Sequence, residues 1–213
     1  MSGLPRSFYE HDPLQVAPLL LGRTLVRESP EGLVSGRIVE VEAYCGFRDP
    51  ASHAYRGETR RNAVMFGPGG FLYVYFTYGM HYCANAVCET PGSPGAVLLR
   101  AVEPLAGLEL MAERRGTAVV ALLARGPARL AQAFGLDLRD NGIDLVDGPV
   151  RIEGEQRLVG EVAVSPRIGI AKAAEEPWRF YEVGPWASPL GRGPSGRGRR
   201  PGADGVEGGE AVG

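Results

Sequence analysis

Residues 36–80 read GRIVEVEAYCGFRDPASHAYRGETRRNAVMFGPGGFLYVYFTYGM, and this stretch decides the fold. Its first part, Gly36 to Tyr44, carries β-branched Ile38, Val39 and Val41 between acids, the composition of a strand. The strand is expected to run from Val34 to Tyr44. Period-two geometry then puts Glu40 and Glu42 on one face and Val39 and Val41 on the other. Residues 45–70 hold Gly, Pro, Arg and Asp at short intervals and read as a long loop, a length that in compact domains usually serves function. Residues 71–78 and 81–88 read as two strands of a hairpin around Tyr78-Gly79-Met80. Tyr73, Tyr75 and Thr77 fall on one of its faces.

Working outward, Asp12-Pro13 is an N-cap followed by proline at the first helical position, with a helix over about 13–21 and Gly22 at its end. Thr24 to Arg27 reads as a strand, and Ser29 to Gly32 as a turn. Ala96 to Val102 is an almost wholly apolar strand, hence buried, and Glu103-Pro104 is expected to end it. Leu105 to Arg115 fits an amphipathic helix. Gly126-Pro127 opens another, which Gly135 stops after Phe134. Short strands or turns fill 143–170. After Pro189 the Gly-, Pro- and Arg-rich composition predicts a disordered tail over 190–213 behind one domain over 1–189.

Composition sets limits. The chain has 213 residues and 44% apolar content, enough for one domain with a real core. No run of 18 apolar residues is present, so no membrane span is expected. The start lacks the basic-then-apolar pattern of an export signal, which predicts a cytoplasmic protein. Cys45, Cys83 and Cys88 are wrongly spaced for zinc and read as buried free thiols. No histidine has metal spacing with another ligand. Net charge is −2, an unpromising total for a nucleic-acid binder. Residues 136–161 account for −4 of it, which leaves +2 for the remainder and room for a basic face. Lys172 is the sole lysine, so imine chemistry has one side-chain amine to draw on.

Several residues are candidates for chemistry. Same-face acids are commonly a solvated edge, but Glu42 stands at a strand end before an aromatic and a loop, where an acid can act as a general base toward water. Tyr44 and Tyr75 are core residues or the two walls of a slot for a planar ring. Tyr78 and Met80 are large apolar groups on a tip that is normally polar. They fold back on the core, or they part base steps in a nucleic-acid groove. Arg100 lies inside an apolar strand and needs a buried carboxylate partner. Asn85 needs partners for its amide, structural or from a base edge. His53 is a lone loop histidine. Arg56, Arg60, Arg61 and Arg129 are surface charges or phosphate contacts.

The blocks taken in order resemble the alkyladenine (3-methyladenine) DNA glycosylase family. Gly36 to Tyr44 looks like that family's G-R-I-V-E-x-E-A-Y, Ser52-His53 is similar to its A/S-H block, and Arg61-Asn62 to its R-N. Leu72 to Tyr75 with Tyr78-Gly79-Met80 and Asn85 resembles L-Y-V-Y-x-x-Y-G-M-x-x-x-x-N. Leu98 to Pro104 looks like L-L-R-A-x-E-P, Gly126 to Leu130 like G-P-x-K/R-L, and Arg179-Phe180-Tyr181 like R-F-Y. The likeness spans about residues 8–188. His81 stands where an aromatic can occur, and Arg129 where lysine can.

The resemblance implies an α+β fold: a single mixed domain with a curved antiparallel sheet, flanking helices and a protruding hairpin. It implies hydrolysis of the glycosidic bond of alkylated or deaminated purines in double-stranded DNA by base flipping, without a cofactor or metal. Glu42 would be the general base, with Arg100 positioning water. Tyr44, His53, Tyr75 and Asn85 would line the base pocket. Tyr78, with Met80 beside it, would intercalate. A monomer acting at the nucleoid is the expected state. Two rivals stay open at this point. A nucleic-acid-binding module, such as the RNA-binding domain of a formyltransferase, would have no need of a pocket acid. A hydrolase of free nucleosides would need neither wedge nor arginine loop.

Overall fold

The computed structural model describes residues 3–189, so the tail expected over 190–213 lies outside the described residues. The fold is α+β, a single curled antiparallel sheet with helices on one side. Four-residue α1 (Arg6–Tyr9) and α2 (Pro13–Leu20) precede β1 (Thr24–Ser29) and the long β2 (Gly32–Tyr44). The loop after β2 leads to the hairpin β3 (Leu72–Thr77) and β4 (His81–Cys88), then β5 (Gly95–Ala106). Helices α3 (Leu108–Arg115) and α4 (Pro127–Phe134) follow, then β6 (Val150–Glu153), β7 (Val162–Ser165) and β8 (Arg179–Glu182). The strand order is β3-β4-β5-β2-β1-β6, and β8 pairs with both β2 and β7. Strand β2 thus serves two neighbours on one side: residues 32–37 pair with β1, and Glu40 to Glu42 pair with β8.

Helices α2 and α4 form where the punctuation predicts. The Asp12 carboxylate accepts the Leu14 N–H at 2.9 Å and caps α2, with Pro13 at its first position. Gly126-Pro127 opens α4 and Gly135 closes it. The three longer helices cover one face of the sheet. Val16, Leu20, Met111, Leu130 and Phe134 meet Ile38, Val41, Val74 and Leu99 in one fully buried core.

Three expectations need correction, and one element, α1, was not expected. Helix α1 has too few residues for any periodicity; it is held by the fully buried Tyr9 and by an Arg6–Asp144 ion pair. Strand β5 does not end at Glu103-Pro104 but runs to Ala106. Pro104 is tolerated because β4 stops pairing at Leu98 and the 124–126 segment that bridges the same side next reaches only to Val102, so at Pro104 the side of β5 away from β2 has no partner to hydrogen-bond. Helix α3 therefore starts at Leu108 rather than Leu105. Gly107, at φ 73°, turns the chain between them where a Cβ would press on the Leu33 carbonyl oxygen at 2.3 Å. Finally, alternation along β2 is not strict. Register shifts between Ile38 and Val41 put both of these in the main core, and Val39 drops out of step.

Candidate active site

One row of directly paired residues crosses six strands: Tyr73, Asn85, Leu98, Glu42, Arg179 and Ser165. Paired residues in antiparallel strands project to the same face. The row therefore gathers its side chains on the face away from the helices. There Tyr73, Asn85 and Leu98 line a cavity of about 380 Å³. Tyr44, Tyr75, Cys83 and Arg100 line it as well, with Ser52, His53 and Met65 from the long loop. Ile168 to Ile170 close another side, and Pro127 at the start of α4 and Tyr78 from the hairpin tip reach its rim.

Glu42 is wholly buried and lies just behind this lining. The solvated-edge reading fails, because Glu40 is wholly buried too. Three cavity-lining residues hold the Glu42 carboxylate. The Ile168 N–H donates to Oε1 at 2.8 Å, and Arg100 Nη1 lies 3.1 Å from the same oxygen. The Tyr44 hydroxyl donates to Oε2 at 3.0 Å, an oxygen with lone-pair capacity left for a further donor. Burial pushes the Glu42 pKa up, and Arg100, the Ile168 N–H and the Tyr44 hydroxyl offset only part of that. A carboxylate with raised basicity beside a cavity is suited to take a proton from water.

The aromatic wall is ordered by local bonds. The rings of Tyr73 and Tyr75 are 5.5 Å apart, tilted by 31°, and His53 meets the edge of Tyr75 at 4.5 Å. His53 Nδ1 bonds the Tyr73 hydroxyl at 2.9 Å. Much of His53 is open at the cavity mouth. Even so, desolvation against the two tyrosines and the Arg61 charge push its pKa down to about 4. The imidazole is therefore neutral at neutral pH. Asn85 donates one amide N–H to the Tyr73 carbonyl at 3.1 Å, which leaves the amide oxygen and the second N–H to face the cavity. Asn62, buried in the long loop, donates to the His53 and Gly57 carbonyls and accepts the Thr59 N–H, so one amide knits the loop around His53.

The tip and the arginines differ in character. Tyr78 is 81% exposed and Met80 69%, so neither folds back on the core. Tyr78 and Gly79 both have positive φ, 51° and 69°, and the Met80 N–H returns to the Thr77 carbonyl. Such a turn matches the twist of hairpin strands. Arg56 and Arg60 are exposed on the loop. Arg61 is partly committed: its guanidinium sits 5.4 Å over the Tyr75 ring. Exposed Arg129 lies two residues beyond rim-forming Pro127.

Other parts of the site were not among the candidate site residues read from the sequence. Arg167 is buried, stacked 4.6 Å over Tyr44 and 4.8 Å over Trp178, and ion-paired with the wholly buried Asp49. Arg179 is wholly buried against Glu40. Lys172, remote in sequence from the acids, is exposed two residues beyond the cavity-lining Ile170. Among the described residues no group of three His, Cys, Asp or Glu side chains could hold a metal ion, and no helix is long and apolar enough to cross a membrane. All three cysteines are free and buried.

Residues 7–185 match the sequence profile of the methylpurine-DNA glycosylase family. A protein of Rhodopseudomonas palustris (strain HaA2), named provisionally as a 3-methyladenine DNA glycosylase, is 50% identical over 179 residues. That alignment covers 83% of this chain and 85% of the relative. A relative with the same provisional name from Methanoculleus marisnigri is 49% identical over 185 residues, covering 85% of this chain and 95% of its own. A third, from Carboxydothermus hydrogenoformans, is 49% identical over 180 residues, covering 84% and 94% respectively.

Proposed function

The chain belongs to the methylpurine-DNA glycosylase family, and from that membership we propose that it removes alkylated and deaminated purines from double-stranded DNA by base flipping. As a DNA glycosylase it is a hydrolase acting on DNA. The observation that carries the finer reading is the buried Glu42 carboxylate, held behind the cavity by three residues that line it.

In the proposed reaction the target nucleotide leaves the stack and its base enters the cavity. Tyr44, Tyr75 and His53 line the slot, and Asn85 meets the purine edge with its amide oxygen. A purine nucleotide alkylated at N3 or N7 carries positive charge, which suits aromatic faces and a neutral His53. Glu42 Oε2 takes a proton from water as the water oxygen bonds to C1′. The C1′–N bond breaks, and its electron pair leaves with the base. Arg100 holds Glu42 and faces the cavity, where it orients the water. Tyr78 fills the vacated stack, with Met80 beside it. Arg56, Arg60, Arg61 and Arg129 contact phosphates. The chain acts as a monomer at the nucleoid and needs no cofactor.

A binding module has no use for a wholly buried carboxylate behind a cavity. A hydrolase of free nucleosides has none for an exposed tyrosine on a hairpin tip. Duplexes that each carry one defined lesion test the reading. Release of 3-methyladenine, 7-methylguanine or hypoxanthine as free base is expected, and a chain that binds such duplexes and releases nothing would refute it.

Tyr78→Ser is expected to slow excision of a fully paired lesion more than excision of the same lesion in a single strand or mismatch. Unstacking a paired nucleotide costs roughly a few kcal/mol, which the wedge offsets. An equal loss on every substrate would point instead to a folding defect.

The product is expected to be an abasic site with no nick. Strand cleavage through an imine needs an amine at C1′. Lys172 is on the segment that borders the cavity, so the question is a real one. Incubation with lesion DNA and borohydride is expected to trap nothing. A covalent adduct formed by the wild type and lost in Lys172→Ala would overturn attack by water.

A further inference from the structure

Four buried charges gather at the cavity wall: Arg100 on β5 lines it, and Glu40 and Glu42 on β2 and Arg179 on β8 lie behind it. Two acids and two bases sum to zero, but they are not connected evenly. Arg100 spans both carboxylates, with Nε donating to Glu40 Oε1 at 2.8 Å and Nη1 at 3.1 Å from Glu42 Oε1. Arg179 Nε donates to the same Glu40 oxygen at 2.7 Å. Its other nitrogens donate to Ser165 Oγ and the Ser188 carbonyl, and its plane sits 4.0 Å over the Tyr181 ring. The Ser188 N–H donates to Glu40 Oε2 at 2.7 Å. Arg179 forms its ion pair with Glu40 and is not part of the cavity lining.

This wiring has an electrostatic consequence. A lone Arg100 between two desolvated carboxylates would be divided between them. Arg179 and the Ser188 N–H satisfy Glu40 from behind, which frees the charge of Arg100 for Glu42. We propose that Arg179 is a positioning residue for base removal: by neutralising Glu40 it keeps Glu42 ionised and fixes the second arm of Arg100 on it. The proposal rests on Glu42 being the base that activates water.

Other groups face Glu42 too. They are Glu40 and the Tyr44 hydroxyl on its own strand, Tyr75 from β3, Cys83 from β4, and Arg167 with the Ile168 N–H from the segment after β7. Of these only Glu40 and Arg167 are charged at neutral pH, and Arg167 is paired with Asp49. The same directions appear in Glu40 itself. Burial pushes its pKa up, but Arg100, Arg179 and Ser188 together hold it below the usual carboxylate range.

The sign follows. Excision requires the anion of Glu42, so activity falls as pH drops through the Glu42 pKa. Loss of a nearby positive charge raises that pKa and moves the acid limb to higher pH. Loss of a nearby negative charge moves it lower. Single-turnover excision of 7-methylguanine, whose leaving group already carries charge, reads the limb directly.

Arg179→Met is expected to move the limb up by about one pH unit. Arg179→Lys keeps the charge and should leave the limb near wild type. Glu40→Gln is expected to move it down. Arg179→Met/Glu40→Gln removes both charges and should bring it back. A limb that stays put in Arg179→Met, with excision slowed equally at every pH, would reduce Arg179 to a structural residue and overturn the proposal. If Arg179→Met does not fold, a Glu40→Gln limb that fails to fall has the same force. A wild type that releases no base overturns both this proposal and the function it rests on. An active wild type that needs Glu42 but has an immobile limb overturns this one alone.

Discussion

Glu42→Gln is expected to bind lesion-bearing DNA as wild type does and to excise almost nothing. The substitution keeps shape and removes basicity. Its amide oxygen can still accept from the Ile168 N–H, so the site should stay assembled. Loss of a positioned general base costs roughly 10²–10⁴-fold in the chemical step. Single-turnover kinetics with enzyme in excess separate that step from binding and product release. Excision by Glu42→Gln at the wild-type rate would reject the assignment. The neighbouring Glu40 is equally buried, yet its hydrogen-bond partners are Arg100, Arg179 and the Ser188 N–H rather than Tyr44 or Ile168. Glu40→Gln should therefore change the pH dependence far more than the maximal rate.

Asp49→Ala is the second large effect, and it is on stability. Asp49 and the Arg167 side chain are both fully out of solvent. Removing the acid leaves a guanidinium buried without its counter-ion. Breaking a buried pair in this way costs about 3–5 kcal/mol. Thermal unfolding should drop by roughly 10 °C for a domain of this size. Asp49→Ala/Arg167→Met removes both charges and should recover part of that loss. A melting temperature within a degree or so of wild type for Asp49→Ala would show that the pair contributes little. Because Arg167 also stacks on Tyr44, the single variant should loosen one wall of the cavity.

Both effects turn on groups with unequal visibility in the sequence. Glu42 and Arg100 stood out because each broke a local rule, an acid before an aromatic and a charge in an apolar strand, whereas Tyr44 and Tyr75 read equally well as core residues. Helices α2 and α4 were legible from capping residues alone. Strand β5 was misjudged at Pro104, because the tolerance for proline there depends on where β4 ends, a non-local fact. The donor from Ile168 is a backbone N–H, which every residue but proline carries, so no side chain could announce it. Asp49 and Arg179 resemble ordinary surface charges in sequence. Only the fold shows that they are buried across 118 and 139 positions from the partners they hold. Ile38 and Val41 share the core through a bulge that a period of two cannot foresee.

The hairpin tip has a consequence for how damage is searched for. Tyr78 sits at φ 51°, a region costly for a bulky side chain, of order 1–3 kcal/mol. Folding has already met that cost before any DNA arrives. On the proposed reading, the ring then stands ready in the free protein and requires no rearrangement at the moment of encounter. Such a protein can interrogate each base pair that it passes, at the speed of its own diffusion along the duplex. Its selectivity then comes from which pairs yield to a fixed probe. Weakly stacked or poorly paired nucleotides would open first, so lesion recognition would begin as a mechanical test before the cavity reads any chemistry.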